Sequence, residues 1–106
     1  MMGYYTTYEL KASEYSDGLR EEVERMNVFE YTCNVPFMSD AIKWYNWKQD
    51  MIALSKRFPN ILFALHGEGE ENGDLWNAYF KNGKVQICEA IITYEPFDEN
   101  KLVDGY

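Results

Sequence analysis

A chain of 106 residues, 46% hydrophobic and 17% aromatic, can bury a core without disulfide or metal staples. This excludes intrinsic disorder and fits one domain spanning residues 1–106. Eighteen acidic residues against ten basic ones leave a formal charge of -8, a field that repels phosphate backbones and anionic membranes alike, so direct nucleic-acid or membrane binding is not expected. Cys33 and Cys88 lie far apart in a chain that needs no staple, and are read as reduced thiols. The first residues lack the basic and apolar regions of a signal peptide, and no apolar run approaches the ~20 residues of a membrane span. The expected location is the cytoplasm.

From Tyr4 to Ala12, bulky residues (Tyr4, Thr6, Tyr8, Leu10, Ala12) alternate with a set that ends in charge (Tyr5, Thr7, Glu9, Lys11), the period of a half-buried strand. A helix is predicted from Gly18 to Asn27: Leu19, Val23 and Met26 form its apolar stripe, Ser16 or Asp17 caps it, and Glu21, Glu22 and Glu24 suit its first turns. The least patterned stretch, Asn27 to Asp40, contains Pro36 and is read as either a long excursion or a short edge strand around Phe29 to Cys33. Ala41 to Tyr45 reads as a short strand, and Asn46 with Gln49 as a capping box that opens a second helix. Trp47, Met51, Leu54 and Phe58 give that helix one apolar stripe, and Pro59 ends it.

The apolar run Ile61 to Leu65 predicts a central strand, and Gly67, Gly69 and Gly73 a mobile loop after it. Asp74 to Lys81 and Lys84 to Tyr94 read as a long hairpin about Asn82-Gly83, with Phe80 facing Val85, Tyr79 facing Gln86 and Ala78 facing Ile87. These elements suit an α+β two-layer sandwich, ferredoxin-like, with two helices on one face of a mainly antiparallel sheet of four or five strands. Split βαβ crossovers would place the first strand and the Ile61 strand near its centre.

Several segments carry a resemblance. Lys43-Trp44, the helix ending Leu54-Ser55-Lys56-Arg57-Phe58-Pro59, the strand Ile61 to Leu65, Glu68-Gly69-Glu70-Glu71-Asn72-Gly73-Asp74 and the later Asn82-Gly83 together resemble the YubB-type ferredoxin-like domain, over residues 43–83. That family consists of small proteins carried by phages, plasmids and other mobile elements. Its Trp-Cys-x-Asn opening is replaced here by Tyr4 to Tyr8. The resemblance implies a fold and a mobile-element setting. It carries over no catalytic residue, because members share no agreed activity.

Among sites of possible chemistry, His66, Glu68 and Glu70 alternate at a strand end beside Glu71 and Asp74, which would suit a divalent cation, but the ligand set is incomplete and lacks the calcium-loop pattern. No metal or cofactor is expected. Gly67, Gly69 and Gly73 do not make a phosphate loop, since Glu stands between them and no Lys-Ser/Thr follows. Cys33 and His66 have no nucleophile signature around them, so no catalytic residue is assigned and enzymatic activity is not expected. Trp47 and Trp76 share faces with core residues and are read as core, whereas Tyr5, Tyr45 and Tyr79 suit exposed contacts. Cys88, inside a strand, is read as a small packing residue.

Charge is segregated along the chain: Lys43, Lys48, Lys56 and Arg57 form a basic stretch, while acids gather at Glu68 to Asp74, at Glu95 to Asp104 and on the first helix. Together with the small size and the mobile-element setting, this predicts a binding protein that docks onto a basic, nucleic-acid-binding surface of a host protein. A defence nuclease such as a CRISPR effector is one such target. The expected contact residues are Glu68, Glu70, Glu71, Asp74, Glu95, Asp98 and Glu99, with Tyr45 and Tyr79 at the rim. A small-ligand, nucleotide or metal-binding domain is the first alternative, a homodimeric accessory protein the second, and the protein itself is expected as monomer or homodimer.

Overall fold

A computed structural model describes residues 4–30, 32 and 35–105. In chain order the elements are β1 (Thr6–Ala12), α1 (Asp17–Met26), β2 (Phe37–Met38), α2 (Trp47–Arg57), β3 (Phe63–Gly69), β4 (Leu75–Lys81), β5 (Lys84–Glu89) and a single 3-10 turn (Glu99–Lys101). The strands form one five-stranded sheet in the order β2-β1-β3-β4-β5, every neighbouring pair antiparallel. β2 therefore runs parallel to β3 with β1 between them, so β2-α2-β3 is a split βαβ unit. β1-α1-β2, by contrast, joins antiparallel neighbours. β3 lies at the centre and β1 beside it, as expected for the first strand and the Ile61 strand.

Period-two patterning sets the face of every strand. Leu10, Leu65, Ala78 and Ile87 stand in one cross-strand row, Ala12, Phe63, Phe80 and Val85 in the next, and Tyr8, Gly67 and Trp76 in a third. Leu19 and Val23 of α1 and Met51 and Leu54 of α2 cover these rows and close the core. The opposite face carries Glu9, His66, Asn77 and Cys88 in one row and Lys11, Ala64, Tyr79 and Gln86 in another. Trp47 stacks on Trp76 with ring centroids 4.5 Å apart and meets Phe80 edge-on, which places both indoles against the core as expected.

The hairpin follows its predicted register: Phe80 pairs with Val85, Tyr79 with Gln86 and Ala78 with Ile87. Asn82 and Gly83 both have positive φ, 48° and 81°, as a type I′ turn requires. A Cβ on Gly83 would stand 2.7 Å from Lys56 Cε, a flexible lysine end that can move aside, so it is the positive φ of the turn that calls for glycine here. The turn docks on α2 through the fully buried Ser55, whose hydroxyl accepts from Gly83 N–H at 2.8 Å and donates to the Ile52 carbonyl.

Seven expectations need correction. β1 starts at Thr6 rather than Tyr4, and β4 at Leu75 rather than Asp74. The edge strand is β2 at Phe37–Met38, not around Phe29, because Phe37 fills the core opposite Leu10 while Ser39 exchanges hydrogen bonds with the Tyr8 backbone. Cys33 lies outside the described residues. Ala41 to Tyr45 forms only one bridge, Ile42 to Thr6, since Trp44 turns into the core against Tyr8 and Phe29. Asn46 precedes α2 without a side-chain cap; the polar group that orders this turn is Asp50, which accepts from Trp44 Nε1 at 2.7 Å.

The remaining two corrections concern the carboxyl half. Gly67 and Gly69 belong to β3 rather than to a mobile loop. Both are close-approach positions: a Cβ on Gly67 would lie 2.3 Å from the Trp76 indole, and one on Gly69 would lie 1.9 Å from Asp74 Oδ2. β5 ends at Glu89 rather than Tyr94, and residues 90–98 continue as an exposed segment without regular structure.

Candidate functional site

The antiparallel register sorts charge between the two ends of the sheet. At one end Thr6 meets Gly69, Glu68 meets Leu75 and Trp76 meets Glu89, so the β3–β4 turn with Glu70, Glu71 and Asp74 gathers beside the root of residues 90–98. At the other end lie the paired Lys81 and Lys84, with Lys56 under the turn. Sequence segments that look separate, Glu68 to Asp74 and the stretch after Glu89, thus share one end: Ala90 N–H donates to the Leu75 carbonyl, and Ile92 stands beside Gly73.

Tyr4 holds the acidic turn in shape. Its hydroxyl donates to Asp74 Oδ2 at 2.5 Å and accepts from Glu71 N–H at 3.0 Å, while Gly69 N–H donates to the Asp74 carbonyl. The bond to Asp74 pushes the Tyr4 hydroxyl above the usual tyrosine range, and the Glu71 N–H it accepts offsets part of that rise. Gly69 has no side chain because Asp74 and Tyr4 occupy that space. Gly73, at φ 84°, supplies the left-handed residue that closes the turn.

Among the described residues, Glu70, Glu71 and Asp74 have no lysine or arginine within ion-pair distance. The Glu68 carboxylate lies 3.4 Å from His66 Nε2, while the other ring nitrogen of His66 faces Asn77 Oδ1 at 2.8 Å. Glu95 has a loose pair with Lys101 at 3.9 Å, and Asp98 caps the 3-10 turn by accepting from Asn100 N–H. The acids of α1 differ. Glu22 is shared by Arg25 and Arg57, and Glu24 accepts from the Thr32 hydroxyl, so this cluster is partly neutralised and stands apart from the site.

Sequence reading missed a second contribution to the same end. Glu30 and Asp40 meet as a carboxyl pair, and the hydrogen bond with Asp40, together with Asp40's negative charge, raises the Glu30 carboxyl above the usual range. Asp40 follows Ser39 just before Ile42 bridges Thr6, which puts the pair beside the Gly69 end of the sheet. The signal is not local in sequence, since the two acids stand ten residues apart. A raised carboxyl favours the fold below the unfolded value, and that contribution is lost as pH rises through the folded one. Asp40→Asn is therefore expected to return Glu30 to the ordinary glutamate range in a carbonyl-detected NMR titration. Identical Glu30 curves in both proteins would contradict the pair.

Of the expected aromatic contacts, Tyr45 is 70% exposed beside the buried Trp44, and Tyr5 is half-exposed under the Lys43 ammonium, 5.1 Å from its ring centre. Tyr79 is not with the carboxylates. It lies four residues along β4 from Leu75, roughly 13 Å away at strand rise, and lines a groove of about 420 Å³ with Pro59, Leu62, Lys81, Lys84 and Gln86. Cys88 is a free thiol on the helix-free face opposite Asn77. Among the described residues no group of three or more His, Cys, Asp and Glu side chains is arranged to hold a metal ion, and no helix is long and apolar enough to cross a membrane. In comparisons with known proteins, no family model, curated protein or solved structure matches the chain.

Proposed function

We propose that the carboxylates at the Gly69 end of the sheet bind a basic surface on a host protein and inhibit it by standing where nucleic-acid phosphates would. Glu68, Glu70, Glu71 and Asp74 form the contact, with a wet aromatic rim at Tyr45. The observation that supports this most is the turn Glu70–Asp74, ordered by Tyr4 yet without a basic partner among the described residues. Carboxylates fixed in position and left unneutralised keep their field for a partner, steering association and demanding opposite charge across the interface. Tyr79 belongs to a different surface and is not assigned to this contact.

The sheet, with its one split βαβ unit, is read as a ferredoxin-like variant, in keeping with the resemblance to YubB-type domains and their mobile-element setting. In that setting the target is a defence nuclease in the host cytoplasm, and inhibition is competition for its nucleic-acid groove. Immobilised protein is expected to retain a host protein that duplex DNA displaces and high salt releases. The triple variant Glu68→Lys, Glu70→Lys, Glu71→Lys should retain less than a tenth as much. Equal retention by the variant, or retention indifferent to salt and DNA, would overturn the proposal.

A further inference from the structure

Among the described residues, little covers the large apolar side chains of the segment that follows β5. Ile91, Tyr94, Phe97 and Val103 are 79–89% exposed, and Ile92 and Leu102 are 58% and 65% exposed. These side chains present on the order of 1,000 Å² of apolar surface, against a few hundred for the largest patch of an ordinary monomer. The molecule measures 58 × 34 × 24 Å with a radius of gyration of 17.8 Å, whereas a compact chain of this length has about 13 Å. Ala90 is hydrogen-bonded to Leu75 and Ile92 stands against Gly73, so the arm leaves the sheet on a fixed heading. Ala90-Ile91-Ile92-Thr93-Tyr94 contains no Gly or Pro to turn it, and three of its residues are β-branched.

The complement lies at the opposite end of the same sheet. The groove beside the hairpin turn has an apolar floor of Pro59, Leu62 and Tyr79, with Leu62 43% and Tyr79 37% exposed, and the lysines Lys81 and Lys84 on its rim. The arm alternates large apolar groups with Glu95, Asp98, Glu99 and Asp104 against the single cation Lys101. Acid and apolar groups on the arm match lysine and apolar groups in the groove. We propose that the arm of one copy lies in the Leu62–Tyr79 groove of a second copy, and that the exchange is reciprocal about a two-fold axis. Two exchanged arms bury an area in the range of stable dimers, roughly 1,600 Å² or more. The self-complementary form follows because each chain carries one arm and one groove. This goes beyond the host-binding reading: it assigns Glu95, Asp98 and Glu99 to the second copy and leaves Glu68 to Asp74 for the partner.

Light scattering of the full chain should give about twice 12.5 kDa, with the mass falling toward that of one chain as salt is raised. Two charge-reversed proteins make the test specific: one carries Glu95→Lys and Glu99→Lys on the arm, the other Lys81→Glu and Lys84→Glu at the groove. Each alone pairs like charge with like charge and should be monomeric, while an equal mixture restores both contacts and should regain the doubled mass. All four positions are exposed, and unchanged circular dichroism verifies that each variant folds. A wild-type chain of single mass at every concentration would overturn exchange, with the arm folded onto its own groove as the alternative. So would a doubled mass that both variants keep. Reversing Glu68, Glu70 and Glu71 leaves the mass unchanged in this scheme, so loss of host binding and loss of exchange are read separately.

Discussion

Replacing Phe63 by alanine is expected to lower the stability of the fold by about 3–5 kcal/mol, the cost of a large cavity at a site that cannot collapse. Phe63 is fully buried and opens the central strand, with Ala12 beside it on β1 and Phe80 on β4. Both flanking strands are fixed by ladder hydrogen bonds, and α2 lies over the same row through Met51 and Leu54. No neighbour can move in without breaking backbone pairing, so the lost transfer energy and the void add. Urea unfolding should show the midpoint falling with little change in slope. Leu75→Ala, a truncation of a side chain 38% exposed at the edge of the other face, is the control and should cost under about 1 kcal/mol. A loss at Phe63 no larger than at Leu75 would contradict the assignment of the core to this face.

Gly67→Ala is expected to destabilise by about 2–3 kcal/mol although it adds one methyl and raises strand propensity. The methyl would stand 2.3 Å from two indole carbons of Trp76, so the ring must leave its position. Trp76 is also stacked on Trp47 and edge-on to Tyr8, and its displacement breaks the contact between α2 and the sheet. The cost therefore belongs to the pair rather than to the glycine. In a Trp76→Leu background the same substitution should cost less than about 0.5 kcal/mol, a non-additivity that a double-mutant cycle reads directly. Equal costs in both backgrounds would show that backbone conformation, and not the indole, requires glycine at this position.

Elements whose pattern is local were legible in the sequence. The stripe of α2, the alternation of β1 and the Asn82-Gly83 hairpin each rest on periods of a few residues, and the hairpin register follows from matching apolar faces across two residues of turn. Expectations failed where a distant contact decides the outcome. Gly67 and Gly69 look like loop glycines until Trp76, Asp74 and Tyr4 are seen filling the space above them. Trp44 leaves the strand its neighbours suggest because Tyr8 and Phe29 offer it a buried place and Asp50 satisfies its N–H. β5 stops at Glu89 because its partner β4 begins at Leu75, so in the Trp76–Glu89 register the residues that follow run past the end of that strand, a fact about the partner rather than about those residues.

The acidic site was legible in part. Glu68, Glu70, Glu71 and Asp74 stand close in sequence and remain close in the fold, with Tyr4 as the added element that fixes them. The register of β4 and β5 brings the arm to the same end, whereas it carries Tyr79 toward the lysine-rimmed groove. Glu30 and Asp40 stand ten residues apart, and no periodic pattern in the sequence pairs them. Charge clustering in the sequence thus shows which acids stand close along the chain but not which segments share an end of the sheet, because strand register decides that.

Carboxylates fixed at the Gly69 end are proposed to engage a basic surface in place of phosphate. The most direct test of that engagement is the salt dependence of the dissociation constant for the DNA-displaceable host protein, measured with wild type and with the Glu68→Lys, Glu70→Lys, Glu71→Lys variant. Wild-type affinity should fall by roughly an order of magnitude or more between low and physiological salt, and the variant should bind weakly with a flat dependence. Two parallel lines of equal affinity would contradict the proposal.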